Sequence, residues 1–364
     1  MYEAKTKILP LRIAPGRRIL VISDIHGNLP YLKGLLDKVG FGPEDELIID
    51  GDFVEKGAYS LETLRYLMGL AQRGNTHLLL GNCDNWNDIF PMGSEYYDRF
   101  MRYLLYRKCG LLWDMLNASG LDPFDLDEEG AWKEELARAY PEEWAFLDSL
   151  PHAIETEHYV FAHAAVRPGK ALRQHTVSEL VTCDAFLKQG WRFDKWVVVG
   201  HWPVMLYHEN IVCANPIIDR EAHIISIDGG CVLKDDGQLN ALIIPYEGSE
   251  DFRWESYDPF PERTVRSAQA GSERSYYIRW GDSRVRVLRR GEEFSRCRHV
   301  RTGYEMDILT KYLFTDNEET DCNDCTDYVL PLRPGDRVRV VETTSRGYFV
   351  KHDGVSGWYF GQLE

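Results

Sequence analysis

Six short β-branched apolar runs recur through the first 250 residues, each followed at once by polar residues of one chemical kind. Ile19–Ile22 leads into Ser23-Asp24-Ile25-His26, Leu47–Ile49 into Asp50-Gly51-Asp52, and Leu78–Leu80 into Gly81-Asn82. Tyr159–Ala162 leads into His163, Trp196–Val199 into Gly200-His201, and Ile224–Ile227 into Asp228. Runs of about four residues separated by longer amphipathic stretches read as strands joined by helices, an α/β pattern. Ligands of such sheets bind in the crevice beyond the C-terminal ends of the strands. The first five of these strands therefore deliver carboxylate, amide and imidazole groups to one edge, a donor set that suits metals of intermediate hardness.

Between these strands, Leu32, Leu35, Leu36 and Val39 form a helical stripe closed by Gly40 and Gly42, and Ser60 is positioned to cap a second helix that stops at Gly74. Residues 86–150 are helical in pattern and rich in Trp, Tyr and Leu, and are expected to insert as a helical cap beside the site. After Pro245 the chain turns polar, with Pro259, Pro261 and a Ser/Gly-rich stretch, so 251–274 reads as a linker between a catalytic domain over 1–250 and an all-β region over 275–364. The end of that region, about 331–364, resembles a bacterial SH3-like barrel through its Gly335-Asp336-x-Val338 start and its Gly357-Trp358-Tyr359 close. Residues 1–261 are accordingly expected to fold and turn over alone.

With 364 residues, 44% of them hydrophobic, the chain can bury a sizeable core, and no run reaches the ~20 apolar residues of a membrane span. The first 18 residues lack the apolar centre of a signal peptide, and eight scattered cysteines in a chain this long read as reduced thiols, so a cytoplasmic location is expected. The net charge of −16 lies wholly in residues 1–261, because 262–364 hold 17 basic and 17 acidic residues. So acidic a body repels nucleic acid and anionic lipid unless bound cations offset it, leaving nucleic acid as a partner only in the role of substrate.

The blocks SDIHGN, GDFVEKG, GNCDN, FAHAAVRPGK, VVGHWPV and ISIDGGCV together resemble the successive motifs of calcineurin-like metallophosphoesterases. Their order is that of the phosphoprotein phosphatase branch, which includes Ser/Thr phosphatases and symmetrical diadenosine tetraphosphate hydrolases. The resemblance implies a two-sheet sandwich flanked by helices and two divalent ions of manganese, iron or zinc. Asp24, His26 and Asp52 would hold the first ion, and Asp52 would bridge to a second held by Asn82, His163 and His201. Pro203 stands where phosphodiesterase-type relatives carry a further histidine. Two blocks depart from the branch. Glu55-Lys56 replaces Asp-Arg, and lysine offers a phosphate a point charge without arginine's bidentate fork. Cys83-Asp84 replaces His-Glu, which removes the family's usual proton donor.

The expected function is hydrolysis of phosphate monoesters or phosphoanhydrides by attack of a metal-bridging hydroxide, with Asp52, Asn82, Lys56, Cys83, Asp84 and Arg167 as candidate catalytic residues. Asn82-Cys83-Asp84 also keeps open a phosphodiesterase or nuclease acting on nucleotides, and a non-catalytic regulatory protein is the reading from another class. The substrate would be a phosphorylated small molecule, a nucleotide or a phosphoprotein, with no membrane partner. Asp50 and Asp228 are expected to shape turns or support ligands, and the Cys322-x-x-Cys325 pair lacks a second pair at zinc spacing.

Overall fold

The computed structural model describes residues 6–85, 102–122, 131–316 and 319–364. The chain divides into two compact units: Met1–Pro203, Pro216–Leu233 and Gly237–Asp258 form the first, and Val204–Asn215, Lys234–Asp236 and Pro259–Glu364 form the second.

Two sheets build the first unit. One has six strands in the order β1 (Ile8–Pro10), β5 (Ala153–Glu155), β6 (Tyr159–Phe161), β7 (Trp196–Val199), β10 (Ile224–Ser226) and β9 (Ile217–Asp219). The other has five, in the order β12 (Arg253–Tyr257), β11 (Leu239–Ile244), β2 (Arg18–Ile22), β3 (Asp45–Asp50) and β4 (Thr76–Leu79). β2, β3 and β4 run parallel, as do β6, β7 and β10, so the ligand-bearing ends within each set point one way. Side chains alternate between faces along a strand, and the runs use both faces. Ile19 and Val21 enter a core shared with Ile154, Tyr159, Phe161, Val198 and Ile225, where the sheets pack on each other. Leu20 and Ile22, with Leu47 and Ile49, instead meet the apolar stripe of α1 (Leu29–Val39) and of α2 (Ser60–Ala71). This is the expected two-sheet sandwich flanked by helices.

α1 ends as its glycine predicts, with Gly40 left-handed at φ 61° and donating to the carbonyls of Asp37 and Leu36. Ser60 is not the N-cap of α2, a position held by Tyr59. Its hydroxyl accepts the Glu55 N–H at 3.1 Å, so it braces the loop after β3. The described parts of 86–150 are helical: residues 102–107, α3 (Leu111–Ser119), α4 (Ala131–Ala139) and α5 (Pro141–Ser149). Leu104, Leu111, Met115, Leu136 and Leu147 sink into the core that α1 and α2 cover. Residues 86–101 and 123–130 of the expected cap lie outside the described residues.

The stretch expected as a linker is structured. β12 pairs antiparallel with β11, and Glu262–Thr264 pairs with Arg337–Thr343. Polar composition misleads here because both are edge strands, which keep one side in water. The second unit is all-β, with a five-stranded sheet ordered Glu262–Thr264, Arg337–Thr343, Tyr348–His352, Val355–Tyr359 and β8 (Val212–Cys213) around Val338, Val350 and Tyr359. β8 comes from the middle of the chain. Val355 and Ser356 pair with Cys213 and Val212, the Tyr277 N–H donates to the Glu209 carbonyl at 2.9 Å, and Met205, Val212, Ala214 and Tyr277 make one buried cluster. A protein cut at residue 261 therefore keeps 204–215 without the strands that cover it. The expected outcome is a fall in Tm of several degrees or insolubility, read by thermal unfolding of the truncated and full chains.

Candidate metal centre

Each candidate ligand leaves the end of a buried strand through a backbone that turns sharply. Asp24 (φ 54°), His26 (49°), Asp52 (51°) and His201 (65°) are all left-handed, an unfavourable state for non-glycine residues. Such strain concentrates where surrounding structure must aim a side chain. Neighbouring glycines provide the room: a Cβ at Gly81 would overlap the Asp52 carboxylate, and one at Gly200 would overlap that of Asp24.

Asp24, His26, Asp52 and His163 are 2% exposed or less. They converge in two overlapping triads, His26 with Asp52 and Cys83, and Asp24 with Asp52 and His163, whose ligand atoms lie within 4.8 Å of one another. Asp52 belongs to both. Its Oδ2 lies 3.9 Å from His26 Nε2, and its Oδ1 lies 3.3 Å from His163 Nε2. Asp24 Oδ1 is 3.8 Å from His26 Nε2. On the other side, Asn82 Oδ1 lies 3.2 Å from His163 Nε2 and 2.8 Å from His201 Nδ1.

Backbone hydrogen bonds hold these groups in place. His163 Nδ1 donates to the Asp50 carbonyl at 2.9 Å, which aims Nε2 inward. Asp24 Oδ2 accepts the His201 N–H at 2.9 Å, and Asp52 Oδ1 accepts the Cys83 N–H at 2.8 Å. Asp24 Oδ1 and His26 Nε2 are buried with no hydrogen-bond partner among the described residues. Buried polar atoms are rarely left this way unless something else satisfies them. A divalent ion is what this oxygen and imidazole set fits.

The electrostatics fit at two of the imidazoles. Burial, helped by the Lys56 ammonium, pushes His26 down to about 3, and burial beside His163 pushes His201 down to about 4. Both imidazoles are neutral near pH 7, the form that ligates. Burial alone would raise Asp52, but neighbouring His163 holds it well below the usual carboxylate range.

The remaining candidates separate. Lys56 is half-buried, and although burial opposes its charge, Cys83 and Asp52 beside it hold its ammonium above the ordinary lysine range. Asp84 faces backbone instead of solvent: Oδ1 accepts the N–H groups of Phe53 and Val54 at 3.0 and 3.1 Å, and Oδ2 accepts that of Gly81 at 2.9 Å. It clamps the two ligand loops together, and its lone pairs are used in doing so. Arg167 is 52% exposed, paired with Glu179 at 2.9 Å and stacked on Trp191, so it is not gathered with the ligands. Asp228 Oδ1 accepts the Gly230 N–H at 2.8 Å, a turn-shaping bond as expected. Glu55 was missed by sequence reasoning as a structural group. Its Oε1 accepts the Leu111 N–H at 2.8 Å at the start of α3, while Asp114 in α3 accepts the Leu61 N–H at 3.1 Å at the start of α2. Two carboxylates thus tie the cap to the ligand loop reciprocally, each at a helix N-terminus where negative charge is favoured. No local pattern marks such a pair, because the partners lie 56 and 53 residues apart.

A two-sheet sandwich of mixed strands whose ends gather this donor set is the architecture of a metallophosphoesterase. The family model described as calcineurin-like phosphoesterase matches residues 17–214, more than half of the chain, and the chain belongs to that family. The symmetrical bis(5'-nucleosyl)-tetraphosphatase of Shewanella loihica is 50% identical over 64 residues, 17% of this chain and 23% of that protein, so this chain spans under a quarter of that relative's length. The asymmetrical bis(5'-nucleosyl)-tetraphosphatase PrpE of Halalkalibacterium halodurans is 25% identical over 253 residues, 62% of this chain and 89% of that protein. A solved protein serine/threonine phosphatase from Saccharomyces cerevisiae is similar over 71% of this chain and 85% of its own, with 14% identity and a TM-score of 0.44. Among the described residues no helix is long and apolar enough to cross a membrane.

Burial raises Glu55 from 4.5 to about 7, with Asp114 adding to it. A raised acid costs stability once ionised in the fold, so its contribution is most favourable below pH 4.5 and is lost as pH rises through about 7. Glu55→Gln keeps the acceptor for Leu111 and removes the charge. It is expected to be more stable than the native protein by about 1–3 kcal/mol at pH 8 and indistinguishable at pH 4.5 and below, measured by urea unfolding across pH.

Proposed function

We propose that this chain is a two-metal phosphohydrolase acting on phosphate monoesters and phosphoanhydrides, with dinucleoside polyphosphates the favoured class. The observation that carries this reading is the division of the Asp52 carboxylate, one oxygen toward His26 and the other toward His163. Asp24, His26 and Asp52 would hold one ion, and Asp52, Asn82, His163 and His201 the other, with manganese, iron and zinc all compatible. Bound ions of this kind neutralise phosphoryl oxygens and make water a nucleophile near neutral pH. The protein's own part is placement: left-handed turns aim the ligands, Asp84 fixes the spacing of their loops, and Lys56 brings a cation to the rim for a phosphate oxygen. The tetraphosphatase relatives support the anhydride class. The phosphodiesterase reading rests on Asn82-Cys83-Asp84, within which Asp84 is held by three backbone N–H groups. Within the C-terminal all-β region, about 331–364 is read as an SH3-like barrel whose partner is a peptide or a surface of the chain's own catalytic domain.

Without a histidine at position 83, leaving groups that need a proton should suffer, a loss of about 10²–10⁴-fold relative to groups that depart unaided. The test is one panel containing diadenosine tetraphosphate, an aryl phosphate, a phosphoserine peptide and an aryl diester. Anhydride and aryl monoester should exceed the alkyl ester by at least about 100-fold in kcat/KM. A diester hydrolysed fastest would sink the reading.

For the ligands, Asp52→Asn should lower the occupancy of both ions and cut turnover by about 100-fold or more, whereas Asn82→Ala should loosen one ion only. Elemental analysis of each dialysed variant, beside its rate, checks this. Two ions retained in Asp52→Asn at near-native turnover would refute the bridging role.

A further inference from the structure

Cys83 stands where the resemblance expects a proton-donating histidine, yet its surroundings are those of a ligand. Its sulfur shares a triad with His26 and Asp52, all three ligand atoms lying within 4.8 Å of one another. Three donors sharing one ion, with N and O bonds of about 2.0–2.2 Å and an S bond of about 2.3 Å, lie up to about 3.8 Å apart, so these side chains need to close by about 1 Å at most. His26 is fully buried, and its Nε2, with no hydrogen-bond partner among the described residues, already has Asp24 Oδ1 and Asp52 Oδ2 at 3.8 and 3.9 Å. The sulfur accepts a hydrogen bond from Asn82 Nδ2 at 3.3 Å, and it lies near the Lys56 ammonium as well as the Asp52 carboxylate. Donors around a sulfur are what a ligating thiolate needs to spread its charge. Asn82 thereby faces both ways, its oxygen toward His163 and His201 and its nitrogen toward Cys83.

We propose that Cys83 is a thiolate ligand of the first ion, completing a set of Asp24, His26, Asp52 and Cys83. This rests on the two-metal reading above and gives the two sites different chemistry. The Cys83 side is soft and selects zinc, ferrous iron or cobalt, whereas the Asn82, His163 and His201 side has only nitrogen and oxygen donors and also accepts manganese. On binding, the thiol proton leaves to solvent as the metal–sulfur bond forms, with no change of oxidation state.

The test uses the full-length protein loaded with cobalt(II) and counted by elemental analysis. A near-ultraviolet thiolate-to-cobalt charge-transfer band is expected in the native protein. It should vanish in Cys83→Ser and persist in the Cys322→Ser/Cys325→Ser double variant, which controls for the other thiol pair. Zinc affinity of the first site should fall at least about tenfold in Cys83→Ser, with manganese affinity changed much less. X-ray absorption of the zinc-loaded native protein, which needs no variant to fold, should show a sulfur shell at about 2.3 Å. Two bound cobalt ions without the band, or a band unchanged in Cys83→Ser, overturns the ligand assignment and leaves the two-metal reading standing. Failure to bind cobalt, zinc or manganese at all overturns both.

Discussion

A carboxylate taken out of water is costly unless its charge is met, and the first unit is arranged around one such group, Asp52, which is 2% exposed. Its position at the end of β3 is enforced from every side. Gly81 leaves the space that a methyl group would fill, and the Cys83 N–H holds Oδ1 at 2.8 Å. His163 stands on one of its oxygens and the neutral His26 beside the other, so groups from both sheets meet on it. The sandwich is thus the device that brings β3 and β6 near enough for one carboxylate to serve both.

The same economy of buried polar groups explains the loops. Asp84 accepts from Phe53, Val54 and Gly81, so the two turns that carry Asp52 and Asn82 cannot drift apart without stranding N–H groups in the interior. Glu55 and Asp114 repeat the arrangement at the cap, each closing a helix start that belongs to the other's segment. Lys56 follows Glu55 directly, so the residue that would meet a phosphate is fixed by the one that anchors the cap. Access to the site and stability of the cap are therefore linked through two adjacent side chains.

The second unit departs from a plain tail. It takes in Val204–Asn215, which begins three residues after His201, so the chain that supplies a candidate ligand runs on directly into the all-β unit. Polar composition between 251 and 274 suggests a linker, and edge strands produce the same composition for a different reason.

By itself the sequence determines the strands, the helices that Gly40 and the leucine stripes close, and the placing of the candidate ligands from Asp24 to His201 at strand ends, because each rests on spacing within a few residues. It also carries the family, since six blocks in a fixed order are local patterns repeated along the chain. What tertiary structure alone decides are matters of long-range pairing: that Glu55 caps α3, that Asp84 is a clamp, that Arg167 turns away to Glu179 and Trp191, and that Val212 and Cys213 join a strand more than 140 residues later. A carboxylate or an arginine reads alike in sequence whether it meets a metal, a backbone N–H or a partner side chain. Only the fold, by burying some of its polar atoms and leaving others unpartnered, settles which of these it meets.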